Sequence, residues 1–180
     1  MYPDVREWRI AADAIPHIYA ELRADGDANR EGIAMLGGSR RDAGVAVIDT
    51  VLLLRGRGVR RDTGLLDVDF STMNALTDAL VMRRRSLVGQ VHSHPPHCST
   101  DLSFTDQRYG IAVPGFLSIV VPDYGRPRRG QPAESWGVHV FDQHKGWIRL
   151  TLETVLSSVR VDTEVPCESV LVTAAVTNGS

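Results

Sequence analysis

The sequence predicts an α/β domain of the α+β type, one mixed sheet flanked by helices. Two observations carry this. Short apolar and β-branched runs are interspersed with longer segments whose apolar residues recur at helical spacing. The chain has 180 residues, 43% of them hydrophobic, which suits a single domain with one buried core. No internal repeat or low-complexity segment interrupts it.

In chain order, Trp8–Ile10 reads as a first strand. Ala12–Ala24 reads as a helix, with Ile15, Ile18, Tyr19 and Leu22 at helical spacing and Pro16 near the first turn, where proline is tolerated. Asp25–Asn29 is a turn cluster that ends it. Glu31–Gly38 reads as a strand closing on Gly-Gly, and Val45–Leu54 is the most strand-like run of the chain. Arg55–Arg61 is a basic, Gly-broken loop, either solvated or able to hold a phosphate or an acidic patch. Leu65–Phe70 reads as a strand and Met73–Arg84 as a helix with arginines at its negative end. Val88–Val91 is an apolar strand and Phe116–Val121 a buried one. Pro122–Pro132 is a long loop rich in Gly, Pro and Arg. Trp136–Phe141 and Gly146–Leu150 form a hairpin, and Glu153–Ser158 a short helix. Val159–Ser180 shows no clear period.

Net charge is -2, from 20 basic and 22 acidic residues, so composition makes no general case for a nucleic-acid partner. Lys145 is the single lysine; the other basic residues are arginines. No apolar run approaches the roughly 20 residues of a membrane span. The first residues lack the layout of a signal peptide. Cys98 and Cys167 lie far apart and form no CxxC pair. A cytoplasmic, reducing location is the expectation.

The chemistry gathers between Val88 and Gly110. His92 and His94 at the end of a strand point to one face, as two imidazoles sharing a metal must. Pro95 and Pro96 stop the strand, and Ser103 to Asp106 reads as the start of a helix. Asp106 is placed to supply a third ligand, and a His, His, carboxylate set leaves the fourth position of a tetrahedral zinc open. Each part has a plain alternative: His-x-His is also an ordinary strand end, and Ser-x-x-Asp also a helix cap with an acid at its third position.

His92-Ser93-His94-Pro95, seven residues, Ser103, two residues and Asp106 resembles the signature of the JAMM (MPN-plus) metalloproteases. That family carries an upstream Glu-x-x-Gly-x-x-x-Gly, and Glu31–Gly38 stands in that place, with Ala34 where the first glycine belongs. The resemblance spans roughly Arg6 to Leu150. It implies an MPN/JAB-like sheet flanked by helices over residues 1–160, with 161–180 unassigned. It implies Zn2+ on His92, His94 and Asp106, Glu31 as general base and acid, and Ser103 as a hydrogen-bond donor to the oxyanion. It implies hydrolysis of an isopeptide or peptide bond at the C-terminus of a ubiquitin-like modifier protein, free or in its conjugates, in the manner of prokaryotic deubiquitinase-like members. A second cluster of His and Cys for a structural zinc is missing, so one metal per chain is expected.

Other residues carry less. His97 and Cys98 read as loop residues near the cleft, with His97 a weak fourth candidate ligand and Cys98 able to block the open position. His139 reads as a packed or surface strand residue, His144 sits in a hairpin turn, and His17 on a helix has no partner in sequence. Two functions of other classes compete: an inactive MPN scaffold that binds partners, and a nucleic-acid-associated protein using Arg55–Arg61 and Arg126–Arg129. The first is disfavoured by the complete set Glu31, His92, His94, Ser103 and Asp106. The second predicts steeply salt-dependent binding.

Overall fold

The computed structural model describes residues 4–42, 44–62, 65–126 and 132–173. Its strands are β1 (Glu7–Ala11), β2 (Ile33–Asp42), β3 (Val45–Arg55), β4 (Val59–Asp62), β5 (Leu65–Val68), β6 (Ser86–Ser93), β7 (Leu117–Val121), β8 (Gly137–Asp142), β9 (Gly146–Arg149), β10 (Val159–Asp162) and β11 (Glu168–Thr173). Its helices are α1 (Ala14–Gly26), α2 (Phe70–Met82), α3 (Phe104–Tyr109), α4 (Pro132–Ser135) and α5 (Leu152–Ser158). The class is α+β, as the sequence predicts.

The large sheet runs β10-β1-β3-β2-β6-β7-β8-β9, with β11 also on β3. It is mixed: β1 lies parallel to β3 and β10, and β6 parallel to β7, while β2 runs antiparallel to both β3 and β6. Side chains of a strand alternate between faces, and β2 shows the result. Ala34 and Leu36 join the core built with Ile18 and Leu22 of α1. Ile33 and Met35 join the core built with Leu76 and Leu80 of α2. Helices thus cover both faces where β2 crosses, and β6, the strand carrying the histidines, is hydrogen-bonded on both edges.

Several expectations are corrected. Helix α2 starts at Phe70 and not Met73, because the Asp69 carboxylate caps it, accepting from the Thr72 N–H at 2.8 Å. Helix α1 runs two residues into the expected turn cluster and ends at Gly26, with the Asp25 carboxylate held by Arg61 Nε at 2.8 Å. The basic run after Leu54 is not all loop: Val59–Asp62 pairs with Leu65–Val68 as a separate hairpin. Past residue 160 the chain up to Thr173 still joins the sheet, since β10 pairs with β1 and β11 with β3. Ala34, in place of the expected glycine, is fully buried opposite Val91.

Strand β2 does not end at Gly37-Gly38. Its register slips there instead, once against β3 between the two glycines. A Cβ on Gly38 would lie 2.1 Å from the Val47 carbonyl oxygen, a backbone atom that cannot step aside. We expect Gly38→Ala to lower unfolding stability by about 1–3 kcal/mol, the usual cost of overpacking. Urea denaturation checks this, and an unchanged midpoint would contradict the bulge as described.

Candidate metal centre

Ser93 stands between the two histidines and points to the opposite face. Its Oγ accepts from the Gly32 N–H at 3.0 Å, and its own N–H donates to the Gly32 carbonyl at 3.0 Å. Ile33 pairs with His92 in the same ladder. This clamp sets Glu31, just before β2, beside the end of β6. The His94 N–H donates to the Val121 carbonyl at 2.9 Å, tying the far side to β7.

Beyond Pro95 the chain loops back under His94. The Ser99 carbonyl lies 2.7 Å from His94 Nδ1, so that nitrogen carries the proton and Nε2 keeps its lone pair. Gly137, at the start of β8, holds this loop in place. A Cβ there would lie 1.8 Å from the Thr100 carbonyl oxygen, so only glycine lets the strand pass.

Ser103 caps α3 in a reciprocal box. Its Oγ accepts from the Asp106 N–H at 3.1 Å, and its N–H donates to Asp106 Oδ2 at 2.8 Å. The plain reading of Ser-x-x-Asp as a helix cap is therefore correct, and the same cap aims Asp106 at the histidines. Asp106 Oδ2 lies 3.5 Å from both His92 Nε2 and His94 Nε2. One ligand atom from each of the three residues lies within 4.8 Å of the others, enough to hold a metal ion. It is the one such group found among the described residues.

Donors bonded at about 2.0–2.1 Å around a tetrahedral ion stand roughly 3.3–3.4 Å apart, close to the 3.5 Å seen from Asp106 to each imidazole. His92 adds a second sign. It is 1% exposed, yet neither ring nitrogen has a hydrogen-bond partner. Buried polar atoms are normally satisfied, and a metal on Nε2 would supply one of the two missing partners.

A curated protein, Probable metalloprotease y4jG of Sinorhizobium fredii, is 32% identical over 125 residues, 68% of this chain and 75% of that protein. The chain belongs to that metalloprotease's family. No protein-family model matches it. Two solved structures resemble the fold of this chain: a protein from Salinibacter ruber, with a TM-score of 0.55, 20% identity and coverage of 89% of this chain and 95% of that one, and a protein from Desulfitobacterium hafniense, with a TM-score of 0.54, 16% identity and coverage of 88% and 94%.

Electrostatics sort the residues further. Burial pushes the Glu31 carboxyl above its ordinary value, partly offset by the two imidazoles nearby. Burial would do the same to Asp106, but His92, His94 and Ser103 outweigh it and hold that carboxyl well below the usual range. For His94, burial disfavours the cation, and Asp106 and the Ser99 carbonyl more than restore it. Glu31, His94, Cys98 and Ser103 line one open groove of about 510 Å³.

The remaining histidines stand apart. His97 is exposed, with φ of 69°, and His17 and His144 are exposed as well. His139, a packed or surface strand residue by its sequence, is packed: it is buried opposite Ser118 on β7. Burial and the Arg149 charge lower its pKa from 6.5 to about 4.

Two predictions follow from this geometry. Ser93→Ala leaves the buried Gly32 N–H without an acceptor and should cost about 1–3 kcal/mol of stability; an unfolding midpoint equal to wild type would show that the clamp does not hold Glu31. His139 stays neutral in the fold where the unfolded chain takes up a proton near pH 6.5, so its stabilisation is complete above that pH and drains away as pH falls toward about 4. His139→Gln should flatten the stability profile over that window, and parallel profiles of variant and wild type would refute the assignment.

Proposed function

We propose that the protein is a zinc-dependent hydrolase of the JAMM type, cutting an isopeptide or peptide bond at the C-terminus of a ubiquitin-like protein. The observation that carries this reading is the meeting of Glu31, Ser103 and the donor set His92, His94 and Asp106 from three separate stretches of chain. The relative named a metalloprotease supports metal-dependent hydrolysis, and the sequence resemblance supports the narrower substrate.

His92, His94 and Asp106 would hold the zinc. Bound there, the ion supplies Lewis acidity, bringing the pKa of water from roughly 16 to about 7. Glu31 takes the proton of the attacking water and returns it to the leaving amine, and its burial-raised pKa suits a group that must do both. Ser103 Oγ already accepts from Asp106, so its hydroxyl proton is free to donate to the developing oxyanion.

A second groove, of about 230 Å³, reaches Asp106 from the other side, lined by Ile33, Met35, Val68, Met73, Tyr109 and Ile111 among others. Strand β5 borders it and, among the described residues, pairs with β4 alone. Its other edge can take an extended tail as an added strand, with backbone bonds giving affinity. In the loop after Pro122, Arg126 lies 4.0 Å from Asp27, while Arg128 and Arg129 fall outside the described residues. Arg55 and Arg61 are committed to acids of α1, which takes two of the four arginines of the Arg55–Arg61 run from the nucleic-acid reading.

The test is cleavage of a ubiquitin-like protein carrying a C-terminal reporter peptide. We expect release of the reporter, loss of activity with a zinc chelator, and a fall of about 10²–10⁴-fold in Glu31→Gln with zinc content and fold retained. Cleavage that survives chelation, or near wild-type turnover by Glu31→Gln, would refute the mechanism.

A further inference from the structure

Arg30 directly precedes Glu31, and the two side chains serve neighbouring concavities. Glu31 lines the groove with His94 and Ser103. Arg30 lines a pocket of about 490 Å³ with Gly56, Arg57, Val59, Arg60 and Arg61. Two buried acids of α1, Glu21 and Asp25, face the same cluster. Glu21 takes both terminal nitrogens of Arg55, one of them at 2.5 Å. Asp25 takes Arg61 Nε at 2.8 Å and Arg30 at 3.3 Å. Arg55 and Arg61 also donate to the Leu54 carbonyl, each at 2.8 Å.

Three guanidinium groups, those of Arg30, Arg55 and Arg61, thus share two carboxylates, and two more stand beside them. Arg57 and Arg60 are exposed and have no hydrogen-bond or ion-pair partner among the described residues. Asp67 stands opposite Arg60 in the hairpin register but makes no ion pair with it. The result is a concave, positively charged site built on clamped side chains, in a chain whose net charge is -2.

We propose that this pocket docks an acidic segment of the protein substrate, with neighbouring carboxylates on Arg57, Arg60 and Arg30, beside Glu31. The identity of the occupant as substrate rests on the hydrolase reading above. Guanidinium forks match carboxylates in a bidentate manner. No aromatic side chain lines the pocket, so it lacks the stacking platform that single-stranded nucleic acid uses.

The experiment is fluorescence anisotropy of a fluorescein-labelled hexaglutamate peptide titrated with the full chain, at about 50 mM and about 300 mM NaCl. Saturable binding is expected, weaker at the higher salt. It should be at least roughly tenfold weaker in R57Q/R60Q and unchanged in R160Q, which removes an exposed arginine of β10. Both substitutions are on exposed side chains, and circular dichroism confirms the fold. Equal binding by wild type and R57Q/R60Q, equal weakening by R160Q, or tighter capture of a labelled single-stranded oligonucleotide of the same length overturns the proposal. No turnover is involved. A chain that cleaves but does not bind the peptide leaves the hydrolase reading intact, and one that binds the peptide through Arg57 and Arg60 without cleaving refutes that reading and the occupant's role as substrate, while the acidic docking site stands.

Discussion

The paired hydrogen bonds between Ser93 and Gly32, each 3.0 Å, are the contact on which the site depends. They join the end of the histidine strand to the start of the strand that follows Glu31. The residues concerned are 61 positions apart in sequence. Everything else at the centre is local: His92 and His94 share a face by strand alternation, and Ser103 and Asp106 share a helix turn by capping. This clamp, continuing the β2–β6 ladder by one residue, brings the glutamate to the donor set. It is buried, so its geometry is not negotiable with solvent.

The same logic explains what could be read in the sequence. The donor set was legible because three ligands fall within one short stretch, each on an element whose period places it. Glu31 was legible only through resemblance, since nothing in its own neighbourhood marks it as facing His94. The arginines after Leu54 look like a solvated loop by composition. Their partners, Glu21 and Asp25, lie on a helix 34 to 40 residues earlier for the Glu21 contacts, and no local pattern reveals them. Strands β10 and β11 were illegible for a related reason. They join the sheet as parallel neighbours of β1 and β3, a long-range pairing that leaves no turn signature beside them. Helix α2 was misjudged at its start by treating Phe70 as a strand residue, although Asp69 caps the helix and Phe70 is 80% exposed.

Charge is distributed with a consistent purpose. Around the donor set, buried Glu31 and half-buried Asp106 are shifted in opposite directions, one toward proton exchange and the other toward a permanent carboxylate. A turn away, α1 spends two buried acids on clamping arginines. Arg30 and Glu31, adjacent in the chain, divide these two environments between them. The short segment ahead of β2 therefore positions both the proton-transfer group and the edge of the basic pocket.

The account stands or falls on the ion. Anomalous diffraction at the zinc edge from zinc-loaded crystals tests it most directly. One ion per chain is predicted, bonded to Nε2 of His92, Nε2 of His94 and the Asp106 carboxylate, with Glu31 near but not bonded. An ion held instead through His97 or Cys98, or no ordered ion among these three residues, would contradict it.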